Sequence, residues 1–241
     1  MRKAYQGIET SFYLMKSYEF LSISHSKTFS ELDRNIDEEY SINYYNCFAL
    51  INLNAGIIEG LLRSILVEKI EREYDNQIAI NDSVVITSIL QKARYEIETQ
   101  GGWEKLQEQF SAYLKINLKT ILGDDLFQSL KILFKLRNIF AHGTTLVEPI
   151  EKISDDDKNY YPYKWQTNLQ EVNSYCKENF RKDSIFNALA LYDFPIHFFE
   201  KTKALSSIIK ENFSGLHPRI DNVVHEISLV KFGKKKLYNF L

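Results

Sequence analysis

Leu133-Phe134-Lys135-Leu136-Arg137-Asn138-Ile139-Phe140-Ala141-His142-Gly143 decides how the chain folds, because an apolar helical pattern runs there into an arginine, an asparagine, a histidine and a stopping glycine. Upstream, Gly123-Asp124-Asp125 places acidic residues where a helix N-terminus favours them. Leu126, Leu130, Leu133, Phe134 and Phe140 then recur at helical spacing, which predicts a helix from about Asp124 to His142. At 100° per residue, Arg137 falls within about 60° of these positions and of Ala141, so a guanidinium projects from the middle of the apolar stripe. A charge in that place needs a partner. His142 lies about 140° around from Arg137 on an ideal helix, whereas Asn138 and His142 are four apart and share a face. Arg137 and His142 therefore converge only if the last turn distorts or if two copies of the helix meet. Gly143 supplies the left-handed residue that ends the helix.

Composition sets the limits around this helix. At 241 residues, with 44% hydrophobic and 14% aromatic content, the chain buries a substantial core as one expected domain. Nine Gly and four Pro are few for that length and fit long helices better than many tight turns. Cys47 and Cys176 lie far apart with no Cys-x-x-Cys spacing, so neither a disulfide framework nor a cysteine zinc site is indicated and a reducing, cytoplasmic location is expected. The start, Met1-Arg2-Lys3, has the charge of a signal peptide without its apolar run. Cys47 to Val67 is apolar and long enough to span a bilayer, yet Glu59 and Arg63 near its middle would each cost roughly 2.5 to 3.5 kcal/mol there, so it reads as a buried helix and no membrane partner is expected.

The rest of the chain also reads as helical. Residues 8–24 mix Phe12, Tyr13, Leu14, Tyr18, Phe20 and Leu21 and favour helix over strand, and a long helix or two nearly continuous ones cover about Asp33 to Tyr74. Gly56 and Gly60, four apart in that helix, mark close approach of another backbone, and the motif helix is the expected neighbour. That crossing would bring Arg137 toward Glu59 or Asn52, while Glu59 could equally pair with Arg63 at i,i+4. Asn81-Asp82-Ser83 caps a helix over Val84 to Thr99, ended by Gln100-Gly101-Gly102, and another is expected from Trp103 to about Leu118. Helix resumes from Ser184, with a kink expected at Pro195. A core over about 36–215 is expected, with residues 1–35 as an extension and 216–241 as a basic terminal segment.

Outside the motif, chemical signals are sparse. Asp155-Asp156-Asp157 lacks the spaced partner carboxylates of a magnesium site, and His25, His197, His217 and His225 lack metal spacing, so no metal or cofactor is expected. Tyr160-Tyr161-Pro162-Tyr163-Lys164-Trp165 is read as an aromatic loop; Tyr163 and Trp165 suit stacking on unpaired bases, although such rings also pack over cores. Lys234, Lys235 and Lys236 near the C-terminus would draw in a phosphate backbone or simply solubilise the end. A net charge of −2 and a pI near 6.2 exclude a nonspecific nucleic-acid coat but leave room for a local site.

Arg and His in a last turn followed by Gly are also what capping and dipole preferences produce in general. Arg137-Asn138-Ile139-Phe140-Ala141-His142, however, resembles the Arg-Asn-x-x-x-His signature of the HEPN superfamily (higher eukaryotes and prokaryotes nucleotide-binding domains), placed as in that superfamily at the end of a late core helix. The resemblance implies an all-α bundle of long antiparallel helices with a less regular segment after the motif helix. It also implies an earlier long helix with a buried-face acid, for which Glu59 is the candidate. It further implies a homodimer whose two motifs share one cleft, with RNA as substrate. Arg137, Asn138 and His142 would be the catalytic residues of a metal-independent endoribonuclease of the toxin or phage-defence type, with an antitoxin or other regulatory partner. Superfamily members that bind nucleotide or RNA, or dimerise, without cleaving are the alternative.

Overall fold

The computed structural model describes residues 9–31, 40–80, 84–141 and 163–234, except the side chains of 31, 40–45, 79–80 and 163–168, and every regular element among them is helical. These are α1 (Thr10–Glu31), α2 (Tyr40–Ile80), α3 (Val84–Thr99), α4 (Trp103–Gln109), a π-helical turn (Phe110–Leu114), α5 (Leu118–Ala141), α6 (Tyr163–Phe180), α7 (Ile185–Leu189), α8 (Asp193–Asn212) and α9 (Pro218–Leu229). The chain is all-α. It divides into two compact units: Met1–Ser17, Gly56–Phe127 and Thr202–Val230 in the first, Tyr18–Ala55, Gln128–Lys201 and Lys231–Leu241 in the second. Four of the five boundaries fall inside α1, α2, α5 and α8, and the fifth follows α9.

Local sequence accounts for most helix ends. Gly102, at φ 99°, turns the chain out of α3 and into α4. Gly123, at φ 73°, interrupts α5, so the motif helix proper restarts at Asp124, where the acidic pair predicts it. The helix expected from Trp103 to about Leu118 is found but ends sooner, α4 running directly into the turn that follows. Phe110–Leu114 winds as a π turn, and Lys115 takes the left-handed conformation at φ 58° before α5 begins. Pro195 kinks nothing: the chain leaves helix after α7 and starts again at Asp193, leaving the proline in the first turn of α8, where a missing N–H is harmless. Tyr163 and Trp165 lie in the first turn of α6 rather than in a loop.

The first unit is built on the C-terminal part of α2. A Cβ on Gly56 would stand 3.2 Å from the Leu14 side chain, and one on Gly60 would stand 3.2 Å from Ser11 Cβ. The two glycines therefore admit α1, not the motif helix. Glu59 Oε1 accepts from Arg63 Nη2 at 2.6 Å and from the Gly102 amide at 3.3 Å, while Arg63 Nη1 donates to the Glu98 carbonyl at 2.9 Å. This charged knot fastens the α3–α4 corner to α2. Trp103 is 1% exposed, and its ring centroid lies 5.5 Å from that of Phe127. Ile220, Val223, Val224 and Ile227 of α9 are buried, so this C-terminal helix, expected to lie beyond the core, belongs to it.

The second unit has an aromatic core. Tyr18 of α1 stacks on Phe199 at 4.3 Å between centroids and donates to the Pro195 carbonyl at 3.1 Å; burial, with Cys47 and Glu200 nearby, raises its phenol pKa. His25 is buried beside Tyr192, Phe29 and Phe232, and burial lowers its imidazole pKa although a bond to the Tyr192 carbonyl opposes this. Cys47 and Cys176 are both fully buried and unlinked. Met15 and Tyr18, in a segment expected to be an extension, are 0% exposed. The stretch Asn46–Ile78 within α2 is long and apolar enough to cross a membrane, with a mean hydropathy of 1.5. In the fold its apolar positions such as Leu50, Ile58 and Ile65 are covered by protein.

Candidate functional site

In the second unit, the last turns of α5 carry Arg137 and Asn138 on a segment whose apolar positions are well anchored. Leu130, Leu133 and Leu136 are fully buried and Ile139 is 5% exposed. Arg137 and Asn138 are half-buried, and Arg137 Nη1 donates to Asn138 Oδ1 at 3.0 Å. The amide thus orients one edge of the guanidinium, a planar cationic group of the kind that matches a phosphate or carboxylate. His142 and Gly143 lie outside the described residues.

The early part of α2 meets this end of α5 through Phe48, whose ring centroid is 4.1 Å from that of Phe140. Asn52 stands one turn further along the same face of α2, half-buried, and its Oδ1 is sealed from water without a hydrogen-bond donor. A buried amide oxygen in that condition is a waiting acceptor. Glu59 belongs to the first unit, in the knot with Arg63 and Gly102 described above, which is the i,i+4 pairing that its spacing allows.

α6 lies along α5 and holds it by two sets of polar contacts. Glu171 Oε1 accepts from Lys131 Nζ at 2.7 Å and Gln128 Nε2 at 3.0 Å, and its Oε2 pairs with Lys135 Nζ. Burial alone would raise the Glu171 pKa, but the hydrogen bonds from Lys131, Lys135 and Gln128, with the Lys135 charge, lower it to about 2. Four residues on, Tyr175 Oη donates to Ser129 Oγ at 2.8 Å and lies 2.6 Å from Nε2 of His197 on α8. With Glu171 beside Lys131 and Tyr175 beside Ser129, the two helices run antiparallel.

Lys234 is exposed just after Gly233, while Lys235 and Lys236 lie outside the described residues. Lys131, Lys135 and Glu171 escaped sequence reasoning because their meeting depends on how α6 returns along α5. The i,i+4 spacing of the two lysines was the available signal. Among the described residues, the first unit holds these clefts. One of about 490 Å³ mixes Arg63, Arg94 and Arg219 with Glu9, Glu68, Glu71 and Glu98; one of about 610 Å³ is lined by Lys69, Leu90, Tyr113 and Phe213 among others. Neither includes a motif residue. Among the described residues no group of His, Cys, Asp and Glu is placed to hold a metal ion. No family model, no curated protein and no solved structure matches the chain.

Proposed function

We propose that the chain is a HEPN-type endoribonuclease that cleaves RNA through its own 2'-hydroxyl, working as a homodimer in a toxin or phage-defence role. The observation that carries this reading is the pairing of Arg137 with Asn138 on the anchored end of α5, four residues before His142. In the proposed dimer, two motif helices line one cleft and two Arg137 and two His142 face one phosphodiester. One neutral His142 removes the proton of the 2'-hydroxyl, and the oxygen attacks phosphorus. The other, protonated, gives its proton to the leaving 5'-oxygen, since imidazole titrates near working pH. Arg137 holds the phosphate and stabilises the charge that builds on its oxygens in the transition state. Asn138 keeps Arg137 aimed. The bond to the 5'-oxygen breaks, leaving a 2',3'-cyclic phosphate and a 5'-hydroxyl, and no step calls on a metal.

The test is a labelled single-stranded RNA incubated with the protein in EDTA, beside His142→Ala. Fragments ending in cyclic phosphate from the parent, reduced at least ~100-fold in the variant as for loss of a general acid–base group, are the expected result. A DNA strand of the same sequence stays intact because it has no 2'-hydroxyl. Equal cleavage by parent and variant overturns the assignment. Binding without cleavage, abolished by Arg137→Ala, would favour the non-catalytic alternative, in which the Arg137–Asn138 pair grips a nucleotide or RNA phosphate and goes no further.

A further inference from the structure

Lys131, Lys135 and Asn138 follow one another at intervals of four and three residues along α5. At 100° per residue they fall in a stripe about 60° wide, so the two lysines share the face that carries the motif's asparagine. The distance along the axis from Lys131 to Asn138 is about 10 Å at 1.5 Å per residue. That length spans about three intervals at the roughly 3.4 Å axial spacing of charges along one strand of a duplex, and fewer when a single strand is extended.

Resting on the ribonuclease reading, we propose that Lys131, Lys135 and Asn138 form a phosphate track that guides single-stranded RNA to the motif, and that Glu171 occupies the track as a resident anion that RNA phosphate displaces. Three donors converge on the one Glu171 carboxylate, two of them ammonium groups. An RNA phosphate presents the same kind of acceptor to the same donors. The bridge is open to exchange, for the side chains of Lys131, Lys135 and Glu171 are 34%, 20% and 30% exposed. The helices do not depend on this bridge for their attachment, because Tyr175 fastens α6 to Ser129 one turn away. Flexible lysine stems suit a strand that must slide or bend into register, whereas the planar Arg137 suits the one phosphate that reacts.

The measurement is fluorescence anisotropy with a labelled 12-nucleotide single strand carrying 2'-O-methyl groups throughout, which removes the nucleophile. Parent, Glu171→Gln, Lys131→Ala/Lys135→Ala and the control Lys203→Ala/Lys210→Ala on α8 are titrated at several salt concentrations, with circular dichroism confirming helix content. Losing two phosphate contacts weakens binding at least tenfold and lowers the slope of log affinity against log salt by about 1.4, while the control stays within twofold of the parent. Glu171→Gln tightens binding about three- to tenfold. A bridge that merely fastens two helices gives the opposite sign, since its loss loosens the hold between α5 and α6. Weaker binding by Glu171→Gln, or unchanged binding by the double lysine variant, overturns the track and leaves the ribonuclease reading standing. If the double variant fails to fold, Glu171→Gln alone decides by its sign. A parent that binds no RNA overturns both readings together.

Discussion

Gly233 illustrates how much one residue's backbone can govern. It sits at φ 71°, its amide donates to Ser22 Oγ at 3.1 Å, and a Cβ built on it would stand 2.2 Å from Ser26 Oγ and 2.9 Å from Ser26 Cβ. Ser26 is itself tied to the Tyr192 hydroxyl at 2.9 Å, so it cannot step aside without cost. Gly233→Ala therefore meets two separate penalties, left-handed strain and overpacking, and is expected to destabilise the protein by roughly 1–3 kcal/mol in urea unfolding. Adding Ser26→Gly relieves the clash and not the strain, so the double variant recovers part of the loss; full recovery would show that the conformation costs nothing. The sequence betrayed none of this, because a glycine's neighbour 207 positions away leaves no local mark. Arg137 is the contrasting case. Its place in the apolar stripe was legible from periodicity, and the half-buried guanidinium is found there, whereas its bond to the adjacent Asn138 required a rotamer that spacing does not specify.

Among the elements, the α5–α6 pair carries the clearest dependence on acidity. Glu171 titrates near 2 in the fold against an ordinary 4.5, so the folded state binds its proton less readily than the unfolded chain. The stabilisation is fully present above about pH 4.5 and is lost as pH falls through the window down to about 2. Glu171→Gln should cost about 1 kcal/mol at neutral pH, as expected for a partly exposed ion pair, and the difference from the parent should shrink through that same window. A difference that stays constant from pH 6 to pH 2.5 would mean that the carboxylate's charge contributes nothing. Element boundaries were largely legible: α3 begins and ends where its caps place it, and the motif helix restarts after Gly123. What spacing could not reveal was partnership. Gly56 and Gly60 announced that a helix comes close, but which helix is a long-range fact, and it is α1. The π turn after α4 was equally hidden, since Phe110–Leu114 contains no helix breaker and only the left-handed Lys115 stops it. Pro195 gave a true signal of discontinuity, displaced by a few residues because proline prefers a first turn to an interior.

At the scale of the whole molecule, α1, α2, α5 and α8 each give one stretch to the first unit and another to the second. The net charge of −2 is small, so any strongly salt-dependent ligand must find a local cluster such as the lysines of α5 rather than a general field. The all-α class was legible from scarce glycine and proline and from 3.6-residue periodicity. The division into units was not, because four of its five boundaries run through helices and leave no linker for composition to reveal. The two cysteines offer a way to time how this molecule opens. Cys47 and Cys176 are sealed in the second unit, and burial pushes the Cys176 thiol up to about 12 and raises that of Cys47 as well. A thiol reacts as its thiolate, so in the native state both should be nearly inert to a disulfide reagent such as DTNB at pH 8, reacting at least ~100-fold more slowly than in urea. Rapid reaction of either in native buffer would contradict the packing described for α2 or α6. Slow reaction makes the colour released a clock: each count marks a moment when one of two specific helices let water in, recorded without adding any label to the chain.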